Sequence, residues 1–428
     1  MNVIEASDRA RLAALFRGGW MVSPDLTQLV ADILADVRRR GDAALVEMSR
    51  KFDDSDYDVA HLRVPIPMHD EARHFVTPEV ADALHLAKGR VARFHERQRH
   101  ADLNYVDEDG TRYGFHYRAL ESIAAYVHAG PASSPSSVIM SVVPAKIAGV
   151  TRAIVLTPPQ ADGRVAPAVL FACSLCGVDE LYAVGGAHAI AAAAYGTQSI
   201  APVDKIVGPG NAFVTEAKRQ VFGVCGIDAL AGPSEVMVVA DDGANSEYVV
   251  GELLAQAERD QLARVAVVSE SRSLLDAVAQ LLDTLDVGTL PHGEIISEVM
   301  ARACYLIHAN TREETLAAVE AFAPEHLSLM VRDAQPYLKR LRHVGGVFVG
   351  DMTPVASGDY LAGVNRLLPT SGAARFSSGL SLAGFMRTFS VVENSRERMM
   401  RDAQPMAALA ELEGLPQHAQ TARMRWGA

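Results

Sequence analysis

The chain lacks a Lys and Arg cluster of the kind that phosphate binding needs. With a formal net charge of −12, it has no surface suited to a phosphate backbone, which excludes nucleic acid as its main partner. It also lacks a long apolar run. The longest, around Val165 to Val178, is too short to span a bilayer and contains Pro167. Met1 to Trp20 has no apolar core of the signal-peptide kind; it carries Asp8, Arg9, Arg11 and Arg17 at amphipathic-helix spacing. A cytoplasmic location is therefore expected. Cysteine is scarce, with four residues in all. Cys173 and Cys176 make a C-x-x-C, the spacing of redox and zinc motifs. No second pair or nearby histidine accompanies them, and they sit in the apolar stretch VAPAVLFACSLCGV, so packing is the better reading.

What is present is ample apolar material: 49% of 428 residues, enough for two or more domains with a substantial core. Apolar positions three and four apart predict helices over Leu26 to Arg39, Asp42 to Phe52 and Pro78 to Gln98. From Ile123 the pattern changes. RAIVLTPP, ELYAVGG, KIVGPG and EVMVVAD read as strands entering Gly/Pro turns, with helices between them, which predicts a parallel sheet covered on both faces. A second such series follows from Ser246: helices alternate with the strands RVAVVSES, CYLIHAN, HLSLMV and VGGVFVGD. The stretch from about Phe385 reads as a charged helical extension.

The residues able to do chemistry lie at turns and element ends. They are Gln256, the adjacent Glu325 and His326, Asp359, Glu413 and His418, with Arg259 one helical turn beyond Gln256. GPGN at Gly208–Asn211 and GGAHA at Gly185–Ala189 each end a strand and open a helix, where backbone N–H groups and the helix dipole favour an anion. Neither is a G-x-G-x-x-G or P-loop. Tight turn and nucleotide site both remain open for them. In APEHL, Pro324 predicts a turn that lets Glu325 and His326 line one cleft. Histidine titrates near neutrality and suits a general base, while a solvent-exposed pair is the competing reading. Asp359 in SGDYLAG, and Glu413 with His418 in EGLPQH, read as loop residues. Gln256 and Arg259 are expected on one helical face. Gln, Asp and His can ligate a divalent cation; a permanently protonated guanidinium cannot.

Taken in order, RRGDAAL, VPAKIAGV, AYGTQSI, VDKIVGPGNAFVTEAKR, AGPSEVMVVAD, LLAQAE, APEHL, SGDY, GVNRLLPT and EGLPQHA resemble the histidinol dehydrogenase family over nearly the whole chain. The resemblance implies an α/β fold with two interleaved Rossmann-like domains, small helical terminal domains and a domain-swapped homodimer. The expected division is an N-terminal arm at 1–25, one Rossmann-like domain from 26–125 with 236–380, a second on the nucleotide side at 126–235, and a tail at 381–428 that crosses to the partner. It implies oxidation of a primary amino alcohol through an aldehyde to the carboxylate in two NAD-dependent hydride transfers, with zinc anchoring the substrate.

By motif, His326 resembles the general base and Glu325 the residue that activates water. Gln256, Asp359 and His418 match zinc ligands. Ser136, Ser234 and Glu413 match substrate contacts, and Tyr126 and Asn211 match the nucleotide site. Five positions depart. The family's fourth zinc ligand, a histidine, is Arg259; a substrate-contacting histidine in G-x-N-H is Arg366; a nucleotide-contacting glutamine in GGAQA is His188; and Y-V-P-G-G is YVHAG, with His128 and Ala129. Two guanidinium groups in place of imidazoles favour an anionic substrate, because arginine binds carboxylate, sulfonate or phosphate in bidentate fashion; sulfopropanediol dehydrogenases, relatives acting on a sulfonated alcohol, offer a precedent. The alternatives are a histidinol dehydrogenase proper, and a non-catalytic homologue, against which retention of Glu325, His326 and Asn211 argues.

Overall fold

The computed structural model describes residues 3–16, 22–53, 56–128, 134–160, 162–230 and 232–425; Arg17, Trp20 and Ala129 lie outside them. Two six-stranded sheets carry the fold. In the first, Ser122–Tyr126 is followed in the chain by Arg152–Leu156 and Glu180–Tyr182 on one side, then by Lys205–Val207 and Gly226–Ile227 on the other. All five run parallel; the short edge strand Arg63–Val64 pairs antiparallel with Glu180–Tyr182. The second sheet repeats the scheme. Glu235–Ala240 is flanked by Arg264–Ser269 and Cys304–His308 on one side and by His326–Met330 and Gly346–Val349 on the other, with Val3–Glu5 at the far edge and every pair parallel. Each sheet thus reverses its winding once, and ligands of such sheets sit at the carboxyl ends of the strands beside that reversal.

Strand alternation divides each sheet's apolar side chains between two layers. Ile123, Ala125 and Val127 face the helices Pro78–Glu96, Pro135–Ala148 and Pro167–Cys176. Ala124 and Tyr126 face Pro24–Arg40, Gly186–Tyr195 and Ala212–Val221. In the second sheet Val236 and Val238 pack on one layer, Met237 and Val239 on the other.

Three features depart from the sequence expectations. The helices at 24–96 pack on the first sheet, and Val3–Glu5 joins the second. The grouping of 26–125 with 236–380 is therefore not where the sheets divide: the amphipathic stripe of Pro24–Arg40, with Val30, Ile33, Leu34 and Val37, finds its apolar partner in Gly186–Tyr195. The extension from Phe385 begins as a strand, Met386–Glu393, paired antiparallel with Arg112–Ala119, which pairs with Leu103–Val106. Only then come the tail helices Arg396–Leu412 and Pro416–Arg423, closed on each other by Ala407, Ala410, Ala419 and Ala422 and tied to the 107–111 turn through Arg398 and Asp109.

Candidate functional site

Tyr126, the turn after Glu180–Tyr182 and the turn after Lys205–Val207 meet at the reversal in the first sheet, and a cleft of about 860 Å³ opens there. Tyr126 ends its strand and its hydroxyl accepts the Gly186 N–H at 3.0 Å, pinning the GGAHA turn; burial raises its pKa to about 12. Gly208 holds a φ of +115°, and a Cβ there would lie 2.2 Å from the Tyr126 carbonyl oxygen, so only glycine lets the two strands end this close. Asn211 caps the helix Ala212–Val221, its side chain accepting the Val214 N–H at 3.1 Å. His188 is buried in the first turn of Gly186–Tyr195. Burial lowers its pKa to about 4, and its Nε2 has no protein partner. His128, Ser234 and Arg259 line the same cleft.

The other wall comes from the amino ends of the second sheet. The helix Arg312–Phe322 stops at Ala323, which takes a left-handed φ of +51°, and Pro324 leads the chain into a strand that begins at His326. The turn expected at Pro324 thus places Glu325 and His326 side by side, 6% and 1% exposed. Both are oriented by one neighbour. The Glu235 carbonyl lies 3.1 Å from His326 Nδ1, and the Glu235 N–H donates to Glu325 Oε2 at 3.1 Å. Glu325 Oε2 is also 3.4 Å from Nδ1. With Nδ1–H donating to the carbonyl, Nε2 is left as the proton acceptor. Burial depresses the His326 pKa, but the Glu325 charge and hydrogen bond outweigh it and the net shift is upward. The Glu235 carboxylate is paired with Arg264, and Phe348 packs on the imidazole with ring centroids 5.9 Å apart.

Beside this pair lies a group of acids and guanidiniums. Gln256 is near the end of the helix Ser246–Ala257 and is 1% exposed. Arg259 is not on that helix but just past its cap at Glu258, folded back so that Nη1 donates to Asp359 Oδ2 at 3.1 Å and to Gln256 Oε1 at 3.4 Å. Asp359 sits on a short helix, Val355–Tyr360, not in a loop; the Glu252 carboxylate accepts the Val355 N–H at 3.1 Å and fixes that helix's start. Arg366 donates to Ser136 Oγ at 2.9 Å, and its Nε is 3.9 Å from Asp359 Oδ1, a buried oxygen with no hydrogen-bond partner. Burial works against the Arg259 cation, yet Asp359 and then Glu325 raise its pKa; burial and the Arg259 charge lower that of Arg366. Burial, then Arg366 and Arg259, push His128 down to about 4.

A family profile described as histidinol dehydrogenase matches residues 21–426. A histidinol dehydrogenase of Mesorhizobium japonicum is 43% identical over 423 residues, covering 98% of this chain and 97% of the relative. One of Rhodospirillum rubrum is 44% identical over 407 residues, 95% and 93% of the two chains. The chain belongs to the histidinol dehydrogenase family. The crystal structure of a histidinol dehydrogenase from Elizabethkingia anophelis superposes with a TM-score of 0.91 at 30% identity, covering 97% of this chain and 95% of that one.

The family's metal does not fit the residues present here. Of the expected ligands, Gln256 and Asp359 are brought together, but each gives an oxygen to the Arg259 guanidinium. Among the described residues no group of three or more His, Cys, Asp and Glu could hold a metal ion. His418 and Glu413 are exposed on the tail hairpin, which packs on itself, and the described contacts do not join it to this site. Sequence reasoning missed Glu235 and Glu252, the residues that position Glu325, His326 and the helix of Asp359. A charged residue opening the wholly buried strand EVMVVA was the available signal for the first; nothing local marked the second. Cys173 and Cys176 are free and buried on one apolar helix.

Proposed function

We propose that this chain is a dehydrogenase that converts a primary alcohol through its aldehyde to the carboxylate. One observation supports it above the rest: a buried acid–imidazole pair, oriented by the backbone of Glu235, lies at the amino edge of the second sheet, where Ser234 and Arg259 line the cleft formed by the Gly-rich turns of the first. The helix amino ends at Gly186 and Ala212 suit a dinucleotide's phosphates, and the cleft's volume suits a cofactor. NAD, when bound there, supplies the hydride acceptor for each oxidation. His326 Nε2 takes the hydroxyl proton as hydride leaves the carbon. Glu325 accepts a proton from the water that adds to the aldehyde. Both side chains are buried, which keeps bulk water from competing.

Two substrates are at issue. The names of the full-length relatives support histidinol, and on ancestry that is the better supported reading. The Arg259 and Arg366 guanidiniums support an anionic alcohol instead, because they repel the ammonium of an amino alcohol and bind carboxylate or sulfonate. The tail with Glu413 and His418 is taken to complete the site of a second copy, in a homodimer whose swapped element is 381–428. NADH formation with L-histidinol, an uncharged diol and diols bearing carboxylate or sulfonate tests the assignment. Turnover of histidinol alone removes the anionic reading; turnover of an anionic diol alone removes histidinol. No NADH from any of them, with NAD bound in calorimetry, defeats the alcohol-oxidation reading itself.

A further inference from the structure

Asp359 is 7% exposed and Gln256 1% exposed. A carboxylate that deep needs a compensating charge. In the histidinol dehydrogenase pattern that charge is a divalent metal; here a guanidinium reaches the same two oxygens. Arg259 arrives from just beyond the helix that carries Gln256, bonded through its own backbone N–H to the Gln256 carbonyl at 3.3 Å. This hairpin-like return aims its side chain back along the helix end. A second guanidinium, Arg366, stands 3.9 Å from the other Asp359 oxygen and is held on Ser136. A dication placed at Asp359 would therefore lose two of its oxygen donors to one permanent cation and face another across the same carboxylate.

We propose that the Arg259 guanidinium is the resident cation of this site: it takes the place of the family's metal and holds Asp359 and Gln256 in position without one. The inference rests on the reading of this cleft as the family's dehydrogenase site, but not on which alcohol is oxidised. The Glu252 carboxylate that caps the Val355–Tyr360 helix completes the arrangement, because it fixes the approach of Asp359 to Arg259 independently of any ion.

The test is zinc binding, on the full-length protein. After dialysis against chelator and then against zinc chloride, the wild type should hold well below one zinc per chain by elemental analysis, and calorimetric titration with zinc chloride should show no tight site. Arg259→His, and the double variant Arg259→His/Arg366→His as a second arm, should bind zinc at least about 100-fold more tightly than wild type. Circular dichroism and gel filtration verify that both fold. One tightly held zinc per wild-type chain overturns the proposal. So does a pair of folded variants that bind zinc no better than wild type. Absence of alcohol turnover leaves these measurements standing, so failure of the functional reading and failure of the cation assignment are distinguishable.

Discussion

Gly358→Ala is the most discriminating single change in the molecule, because a glycine inside a helix ordinarily makes the opposite prediction. In an unconstrained helix, Gly→Ala stabilises by about 0.5–1 kcal/mol. Here a Cβ on Gly358 would lie 2.4 Å from Phe348 Cε1 and 2.6 Å from Cζ, against an ordinary contact of 3.4 Å or more. The ring must therefore give by about 1 Å. It is buried and packs on His326 with centroids 5.9 Å apart, so its displacement reaches the imidazole. If the helix moves instead, it carries Asp359 off its 3.1 Å contact with Arg259. Overpacking of this kind costs about 1–3 kcal/mol of stability. A 1 Å misplacement near the reacting groups costs about 100-fold in rate, equivalent to about 2.7 kcal/mol of barrier. The expectation is a melting temperature lowered by a few degrees and kcat/KM lowered about 100-fold, with NAD affinity unchanged in calorimetry. Phe348→Leu in the same chain vacates the contact and should restore most of both. A Gly358→Ala enzyme that turns over within about threefold of wild type and melts no lower would refute the packing argument.

His326→Gln should lower kcat by about two to four orders of magnitude and leave NAD affinity intact; wild-type turnover would strike His326 from the role of base. Alcohol oxidation needs the neutral imidazole, and the folded pKa of His326 lies above the ordinary 6.5. Activity is therefore lost as pH falls through that raised value, and the acid limb of kcat/KM should lie above pH 6.5. Glu325→Gln removes the charge that lifts the imidazole and should move the limb of the alcohol step downward; a limb that stays put would uncouple the pair. Arg264→Met leaves the Glu235 carboxylate, 2% exposed, without its cation, at a cost of roughly 3 kcal/mol, or several degrees in melting temperature. Burial already raises the Glu235 pKa, so the folded state holds this proton more tightly than the unfolded state. The deficit of the variant should shrink as pH falls; a deficit that grows in acid would contradict the assignment.

Much of the architecture was legible because it rests on local patterns. Val236 to Ala240 and Val265 to Val268 are short, valine-rich apolar runs between turn signals, and they are central strands. GPGN ended a strand and opened a helix as read, with Asn211 as the cap. The partner of the 24–40 helix was not legible, since an apolar stripe states that it must be covered and not by what. Nor was the antiparallel pairing of 386–393 with 112–119, whose strands lie far apart in sequence and carry few buried residues.

The same division runs through the site. Residue types by themselves determined that the chain holds an acid beside an imidazole at a proline turn and Gly-rich strand–helix turns; the family resemblance added that Arg259 and Arg366 stand where the pattern has histidines. A guanidinium is a cation, and not a ligand, wherever it lies. Only the tertiary structure decided which groups share a site. It brought residue 259 back onto 256 and 359, and it placed the backbone of Glu235 between Glu325 and His326. It also set the amino edge of one sheet against the carboxyl edge of the other. Apart from the local 256–259 return, those juxtapositions join segments distant in sequence, and they follow from burying two sheets' apolar faces, a global balance that no local pattern encodes.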